Sequence, residues 1–266
     1  MPLLGFGTYN AKDGNKGTQA VEEALRIGYR HIDTASFYGN EEGVGNEIKR
    51  SGVLREKIFL VGKVWNSDQG YERTVQAFIT SIKKLATEYL DLYLIHWPQA
   101  LNKETWKALE KLYKDGYIRA IGVSNFTSKH LKDLLEYAEI IPAVNQVEFH
   151  PQLAQNELRK FGKKHNIQLE AWSPLMRGRI FQIPLFQCLS KKYERTISQI
   201  VLRWDLQMGV VTIPKSTNAI RIKENAEIFD FQISKEDMNK IEQLNNGLRI
   251  GMNPDDVYAN PEIVKE

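Results

Sequence analysis

The sequence predicts a single closed (β/α)8 barrel, and three features carry that expectation. Short apolar, β-branched runs recur along the whole chain, each followed by a longer stretch with apolar residues at helical spacing. Neither a composition break nor a linker interrupts the alternation. The length of 266 residues lies close to the ~250 at which such barrels form one domain, so 1–266 is treated as one unit.

Taken in order, the strand candidates are Leu3–Thr8, His31–Thr34, Ile58–Val64, Leu90–Trp97, Ile118–Asn125, Ala143–His150, Gln168–Ser173 and Val210–Lys215. Helical spacing is clear in Leu131, Leu134, Leu135 and Ala138, and again in Ile200, Val201 and Trp204. Ser128 and Thr196 stand where N-caps are expected. A doubly wound open sheet is the structural competitor, because strand count does not prove closure. That fold usually carries a GxGxxG turn, and here Gly5-Phe6-Gly7-Thr8-Tyr9-Asn10 lacks the third glycine. No low-complexity tract or further internal repeat is present.

A hydrophobic fraction of 42% with 26% charged residues is ordinary for a globular chain. The net charge of +3 comes with no basic run interleaved with aromatics, so no nucleic-acid partner is expected. That mild excess would suit a phosphorylated cofactor or be incidental. Cys188 is the only cysteine, which excludes an intramolecular disulfide and a cysteine-built zinc site; no metal is expected. With no base nearby in sequence, Cys188 is expected to pack as a small hydrophobe. The opening Met-Pro-Leu-Leu-Gly lacks a basic signal region, and no apolar run approaches the ~20 residues that span a bilayer. A cytoplasmic address without membrane association follows as the expectation.

In barrels of this kind, functional side chains sit at the C-terminal ends of strands and in the loops that follow. Those positions hold Asp33, Tyr38, Lys63 and His96. Singly, each has a plain structural reading: a helix cap, a rim aromatic, a hydrogen-bonded histidine. A lysine pointing into a barrel mouth is costly unless paired, so Lys63 near Asp33 suggests an ion pair. Together the four suit carbonyl reduction, in which hydride reaches carbon while a proton reaches oxygen. An ammonium beside Tyr38 is expected to lower the phenol's pKa from ~10 and make it a better general acid. Asp33 would hold Lys63 charged, and His96 would align the substrate oxygen.

These segments resemble the aldo-keto reductase family nearly end to end. The resemblance rests on Leu4-Gly5-Phe6-Gly7-Thr8-Tyr9, His31-Ile32-Asp33-Thr34-Ala35 through Tyr38-Gly39-Asn40-Glu41, Gly62-Lys63-Val64-Trp65 and Leu94-Ile95-His96-Trp97-Pro98. It implies Tyr38 as general acid, Asp33 and Lys63 as its tuning pair, and His96 as the carbonyl-orienting group. Relatives with Glu at this His position favour carbon–carbon double bonds, so the His implies carbonyl substrates.

The resemblance also implies a cradle for NADPH. Ser124, Asn125 and Gln146 would hold the nicotinamide carboxamide, Trp172 would stack on its ring in place of the commoner Tyr, and Ser173 and Leu175 would touch the pyrophosphate. Thr8 joins them from the first strand. Lys215, Ser216 and Arg221 would take a 2′-phosphate, and Glu224 and Asn225 the adenine. A solvated basic face is the plain alternative at Lys215 and Arg221.

Only Pro98–Lys103 separates the fourth strand from the next helix. This resembles the short-loop branch that includes 2,5-diketo-gluconate reductases, glyoxal or methylglyoxal reductases and prostaglandin F synthases. An open mouth lined by Tyr9, Phe37, Trp65, Trp97 and Trp172 would take small carbonyl substrates, although any of these aromatics could be ordinary packing. Family members usually begin with a β-hairpin under the barrel. Its apparent absence here is expected to cost stability rather than activity. A monomer is implied by resemblance. Two other readings remain open: a Schiff-base lyase using Lys63, and a non-catalytic nucleotide-binding regulatory or structural barrel.

Overall fold

The computed structural model describes residues 1–11, 16–260 and 263–264, and it is a closed parallel barrel. Its strands are β1 (Phe6–Gly7), β2 (His31–Asp33), β3 (Phe59–Val64), β4 (Leu92–Ile95), β5 (Ile121–Ser124), β6 (Val144–Glu148), β7 (Gln168–Trp172) and β8 (Val211–Thr212). Each pairs in parallel with the next. The ring closes between β8 and β1: Thr212 and Leu4 form a parallel bridge, and Gly5 N donates to Thr212 O at 2.9 Å. The open-sheet alternative is thereby excluded. All eight strands fall inside the expected runs but are shorter. Leu90 and Ile118, read as strand residues, meet only as an isolated bridge.

The helices are α1 (Lys16–Ile27), α2 (Glu41–Arg50), α3 (Tyr71–Lys84), α4 (Asn102–Lys114), α5 (Ser128–Leu135), α6 (Asn156–His165), α7 (Pro184–Tyr193), α8 (Ile197–Gln207), α9 (Ala219–Ala226), α10 (Lys235–Glu242) and α11 (Pro254–Ala259). Eleven helices among the described residues exceed simple alternation. Two of them, α7 and α8, lie between β7 and β8, and α10 and α11 extend the chain after α9.

The cap of α5 is Thr127 rather than Ser128. Thr127 Oγ1 accepts the His130 N–H, and the His130 ring returns a bond to Thr127 N at 3.3 Å, a reciprocal box that leaves Ser128 as the first helical residue. At α8 the expected cap holds: Thr196 and Gln199 exchange bonds of 2.9 and 3.2 Å. Thr196→Ala is expected to cost about 1 kcal/mol and lower the melting midpoint by roughly 2–4 °C in thermal denaturation. An unchanged midpoint would mean that packing of Ile200, Val201 and Trp204 alone sets this helix start.

Cys188 is exposed, which corrects the expected packing role. The inner face of α7 is taken by Phe186 and Leu189, and residue 188 falls on the outer side of the same turn.

Most of the core lies between the strands and the surrounding helices, where Trp106, Trp204 and Phe78 are fully buried. Inside the barrel the packing is lopsided. Val61, Leu92, Leu94 and Val144 form an apolar cluster on the side of β3 to β6. Polar and charged groups are buried beside it: His31 and Asp33 on β2, Lys63 at the end of β3 and Glu170 on β7. Gly5 makes room there, since a Cβ at residue 5 would stand 2.8 Å from the His31 ring. Charge inside a barrel is costly unless compensated, and the compensation is arranged toward the C-terminal mouth.

Candidate active site

Tyr38 ends a short helical turn, Ser36–Tyr38, directly after β2, and Ser36 Oγ pins that turn by donating to Lys63 O at 3.1 Å. Beneath the phenol, Lys63 Nζ meets three acceptors: Asp33 Oδ1 at 2.6 Å, Thr34 O at 3.1 Å and Tyr38 Oη at 3.2 Å. An ammonium has three protons, and each has a partner here. The ion pair expected from the sequence is present, and Lys63 is wholly buried. Its pKa is raised, because Asp33 and Tyr38 together outweigh the opposing effect of burial. A buried, permanently charged amine is a poor Schiff-base nucleophile, so the geometry argues against the lyase reading.

The expectation for Tyr38 needs correction. Burial pushes its pKa up to about 12, and the lowering by Lys63 is smaller than that desolvation. The phenol therefore stays protonated through the neutral range, and Lys63 moderates a rise instead of producing a net fall.

His96 follows β4 and meets Tyr38, Phe37 and Trp65 edge to face, with ring centroids 5.7, 6.1 and 5.0 Å away. Burial, then the Lys63 charge, holds its pKa well below the usual histidine range, so the ring is neutral. Its Nδ1 is buried without a partner.

These groups open into a cavity of about 860 Å3 that runs from the barrel mouth toward β8 and α9. Phe37 stacks on Trp65 at 3.7 Å on one wall, Trp97 is nearly buried beside them, and Tyr9 stands at the exposed rim. Trp172 forms the opposite wall, its indole donating to Asn125 Oδ1 at 2.9 Å. Asn125, in a left-handed conformation, turns its amide nitrogen to His96 O, and Ser124 Oγ donates to Gln146 O. Gln146 reaches past them to donate to Asp33 Oδ2 at 2.7 Å. Asp33 is thus held on both oxygens.

Ser173, Leu175, Lys215, Ser216, Arg221 and Asn225 line the far part of the cavity. Two residues of the expected cofactor cradle do not line it, and Lys63 lies beneath Tyr38 and not on the cavity surface. Thr8 is buried with Oγ1 bonded to Asp33 O at 2.9 Å, and half-buried Glu224 lends its carbonyl to Gln199. Lys215 and Arg221 form no ion pair among the described residues, and neither does Arg177 on the loop after β7. Three cations with no carboxylate partner, facing one cavity, suit an anionic group better than a solvated surface does.

Arg177 was missed because only its loop's fold, not its residue type, brings it inward; its φ of 50° is part of that turn. The tail was also illegible in sequence. Residues 250–252 line the cavity, while 261–262 and 265–266 lie outside the described residues. Glu148 at the end of β6 fixes the tail, accepting Ile250 N at 2.6 Å and Gly251 N at 3.2 Å. Gly251 presses on Trp172 so closely that a Cβ would stand 2.4 Å from the indole, and only glycine fits.

A (β/α)8 barrel with a Tyr–Lys–Asp–His cluster under an anion-suited cavity defines a class, and comparison with known proteins agrees with it. The aldo/keto reductase family model matches residues 3–246. The chain is 57% identical to glyoxal reductase of Bacillus subtilis (strain 168), over 97% of this chain and 94% of that protein. Among solved structures, an aldo-keto reductase from a Medee basin deep-sea metagenome library superposes with a TM-score of 0.94 at 46% identity, covering 96% of this chain and 95% of that one. A Bombyx mori aldo-keto reductase in complex with NADP gives 0.90 at 34% identity, covering 97% and 94%. The chain belongs to the aldo/keto reductase family and is an oxidoreductase.

Proposed function

We propose that the protein reduces small aldehydes and ketones with NADPH, using Tyr38 as general acid in a mouth suited to compact, dicarbonyl-sized substrates. The observation that carries this reading is the 3.2 Å contact between Tyr38 Oη and a lysine ammonium whose other two protons are held by Asp33 and Thr34. Bound NADPH supplies the hydride. The residues that fit it are Lys215 and Arg221 for the 2′-phosphate, Ser173 and Leu175 for the pyrophosphate, Asn225 for the adenine and Trp172 for the nicotinamide face. Ser124, Asn125 and Gln146 lie where the carboxamide would be read. Each already uses part of its hydrogen-bonding capacity internally, so the surface they offer is set before the cofactor arrives.

The carbonyl oxygen is placed between Tyr38 Oη and the cavity-facing nitrogen of the neutral His96 ring. As negative charge develops on that oxygen, Tyr38 passes it a proton and the resulting phenolate is held by Lys63. The aromatic walls exclude water from that point. The short connection after β4, residues 96–101, leaves the mouth open. No helix among the described residues is long and apolar enough to cross a membrane. A cytoplasmic monomer is the assembly and location this reading carries.

The test is turnover of glyoxal, methylglyoxal and 4-nitrobenzaldehyde with each nicotinamide cofactor. Rapid oxidation of NADPH with the dicarbonyls is the expected result. Tight NADPH binding with negligible turnover across the panel would favour a regulatory barrel instead.

A further inference from the structure

Behind the Tyr38–Lys63–Asp33 cluster, deeper in the barrel, lies a second pair of titratable groups that the reaction does not use. Glu170 projects inward from the middle of β7, and His31 projects inward from β2 two residues before Asp33. Both side chains are completely buried. Their nearest approach is 3.5 Å, between His31 Nε2 and Glu170 Oε1, and neither Glu170 oxygen has a conventional hydrogen-bond partner. Gln146, register partner of Glu170 on β6, gives one amide hydrogen to Asp33, and its amide also lies near enough to Glu170 to favour the charged form weakly. Val211, its partner on β8, is apolar. On the other side, His31 Nδ1 stands 3.4 Å from Pro2 O.

A free carboxylate in this setting would be a second negative charge beside Asp33, facing one ammonium. Burial of an unpaired carboxylate costs several kcal/mol, and neutralisation removes that cost. The arrangement is self-consistent with one proton on the pair. A neutral His31 carries its hydrogen on Nδ1 toward Pro2 O, which leaves an uncharged Nε2 facing a protonated Glu170 at 3.5 Å.

We propose that Glu170 is a positioning residue for Lys63: it sits in the barrel as a neutral carboxylic acid beside a neutral His31, so that Asp33 remains the sole counterion of the ammonium beneath Tyr38. Burial, then the neighbouring Asp33, raise the Glu170 pKa to about 8 against the opposing pull of Lys63 and Gln146, and burial lowers that of His31 to about 4, which supports the proton residing on Glu170. Losing it at alkaline pH puts a second anion near Lys63. The ammonium is then over-compensated and holds the Tyr38 phenolate less strongly, so turnover falls. Tyr38 itself, near 12, does not titrate in that range. The inference rests on Tyr38 being the acid that Lys63 supports.

The experiment has two arms. Infrared pH titration of the intact protein reads protonated carboxyl C=O bands directly. One band should persist at neutral pH, vanish on passing about pH 8, and be missing from Glu170→Gln, while bands from other buried acids such as Asp205 remain. In the second arm, kcat against pH should show an alkaline limb near pH 8 in the native enzyme and none in Glu170→Gln, whatever the plateau height. Should that variant fail to fold, His31→Gln is expected to shift the same limb. An infrared band unaffected by Glu170→Gln, or an alkaline limb unmoved by either substitution, overturns the proposal. The infrared arm does not involve Tyr38, so failure of the assigned acid would leave it standing and be recognised separately.

Discussion

Tyr38→Phe is expected to lower kcat by roughly 10²–10⁴-fold, the usual worth of a positioned general acid, while NADPH binding stays nearly unchanged. The substitution keeps the ring that packs edge to face on Tyr9 and His96 at 5.1 and 5.7 Å, so the walls of the mouth stand. What it removes is the only O–H among the described residues that touches the Lys63 ammonium. Because burial holds the phenol near 12, the native enzyme keeps that proton through the physiological range, and the pH dependence of kcat below about 10 should not report Tyr38. Fluorescence titration with NADPH beside single-turnover reduction of methylglyoxal checks both halves. Retention of more than about a tenth of native turnover would remove Tyr38 from the role of acid and return attention to His96.

The second large effect is expected at the other end of the cavity. Arg221→Ala should raise the Michaelis constant for NADPH by roughly 10–100-fold, since a charge-assisted bond to a phosphate is worth ~1.5–3 kcal/mol and 1.4 kcal/mol is a factor of ten. The constant for NADH should move little, because that cofactor lacks the 2′-phosphate. Arg221 is exposed and has no ion-pair partner among the described residues to leave stranded, so the substitution tests binding and not stability. An equal rise for both cofactors would place Arg221 on a shared part of the dinucleotide. Lys215 is exposed, yet neighbouring protein partly desolvates its ammonium and lowers its pKa, an effect that a phosphate neighbour would offset.

The sequence disclosed the barrel because its strands are inserted in helices whose apolar faces repeat faithfully, and because the ends of β2, β3 and β4 carry residue types that make little sense apart. Asp33, Lys63 and His96 are legible from strand position alone, and Tyr38 from the turn that follows β2. Four things were not legible. The balance between burial and Lys63 at Tyr38 depends on how deeply the phenol is enclosed, which no residue pattern states. Thr127 and Ser128 are adjacent cap-type residues, and only the return bond from His130 selects the first. Cys188 was read by residue type, whereas its exposure follows from the phase of α7. The tail lay furthest from reach. Its path depends on Glu148, about a hundred residues earlier in the chain, and on a glycine whose necessity appears only against the indole of Trp172.

The barrel is hooped by ladders of unequal strength. The β6–β7 ladder runs through five register pairs, whereas β1–β2, β5–β6 and β7–β8 have two each. Two of these short ladders flank the closure, which is made by the single Leu4–Thr212 bridge and by Gly7 N donating to Pro214 O, immediately before Lys215. A nucleotide gripped by Lys215 and Arg221 would lie across this join like a rivet. Cofactor saturation and resistance to heat would then be two readings of the same free energy, through the ordinary mass action of a ligand that recognises only the intact ring.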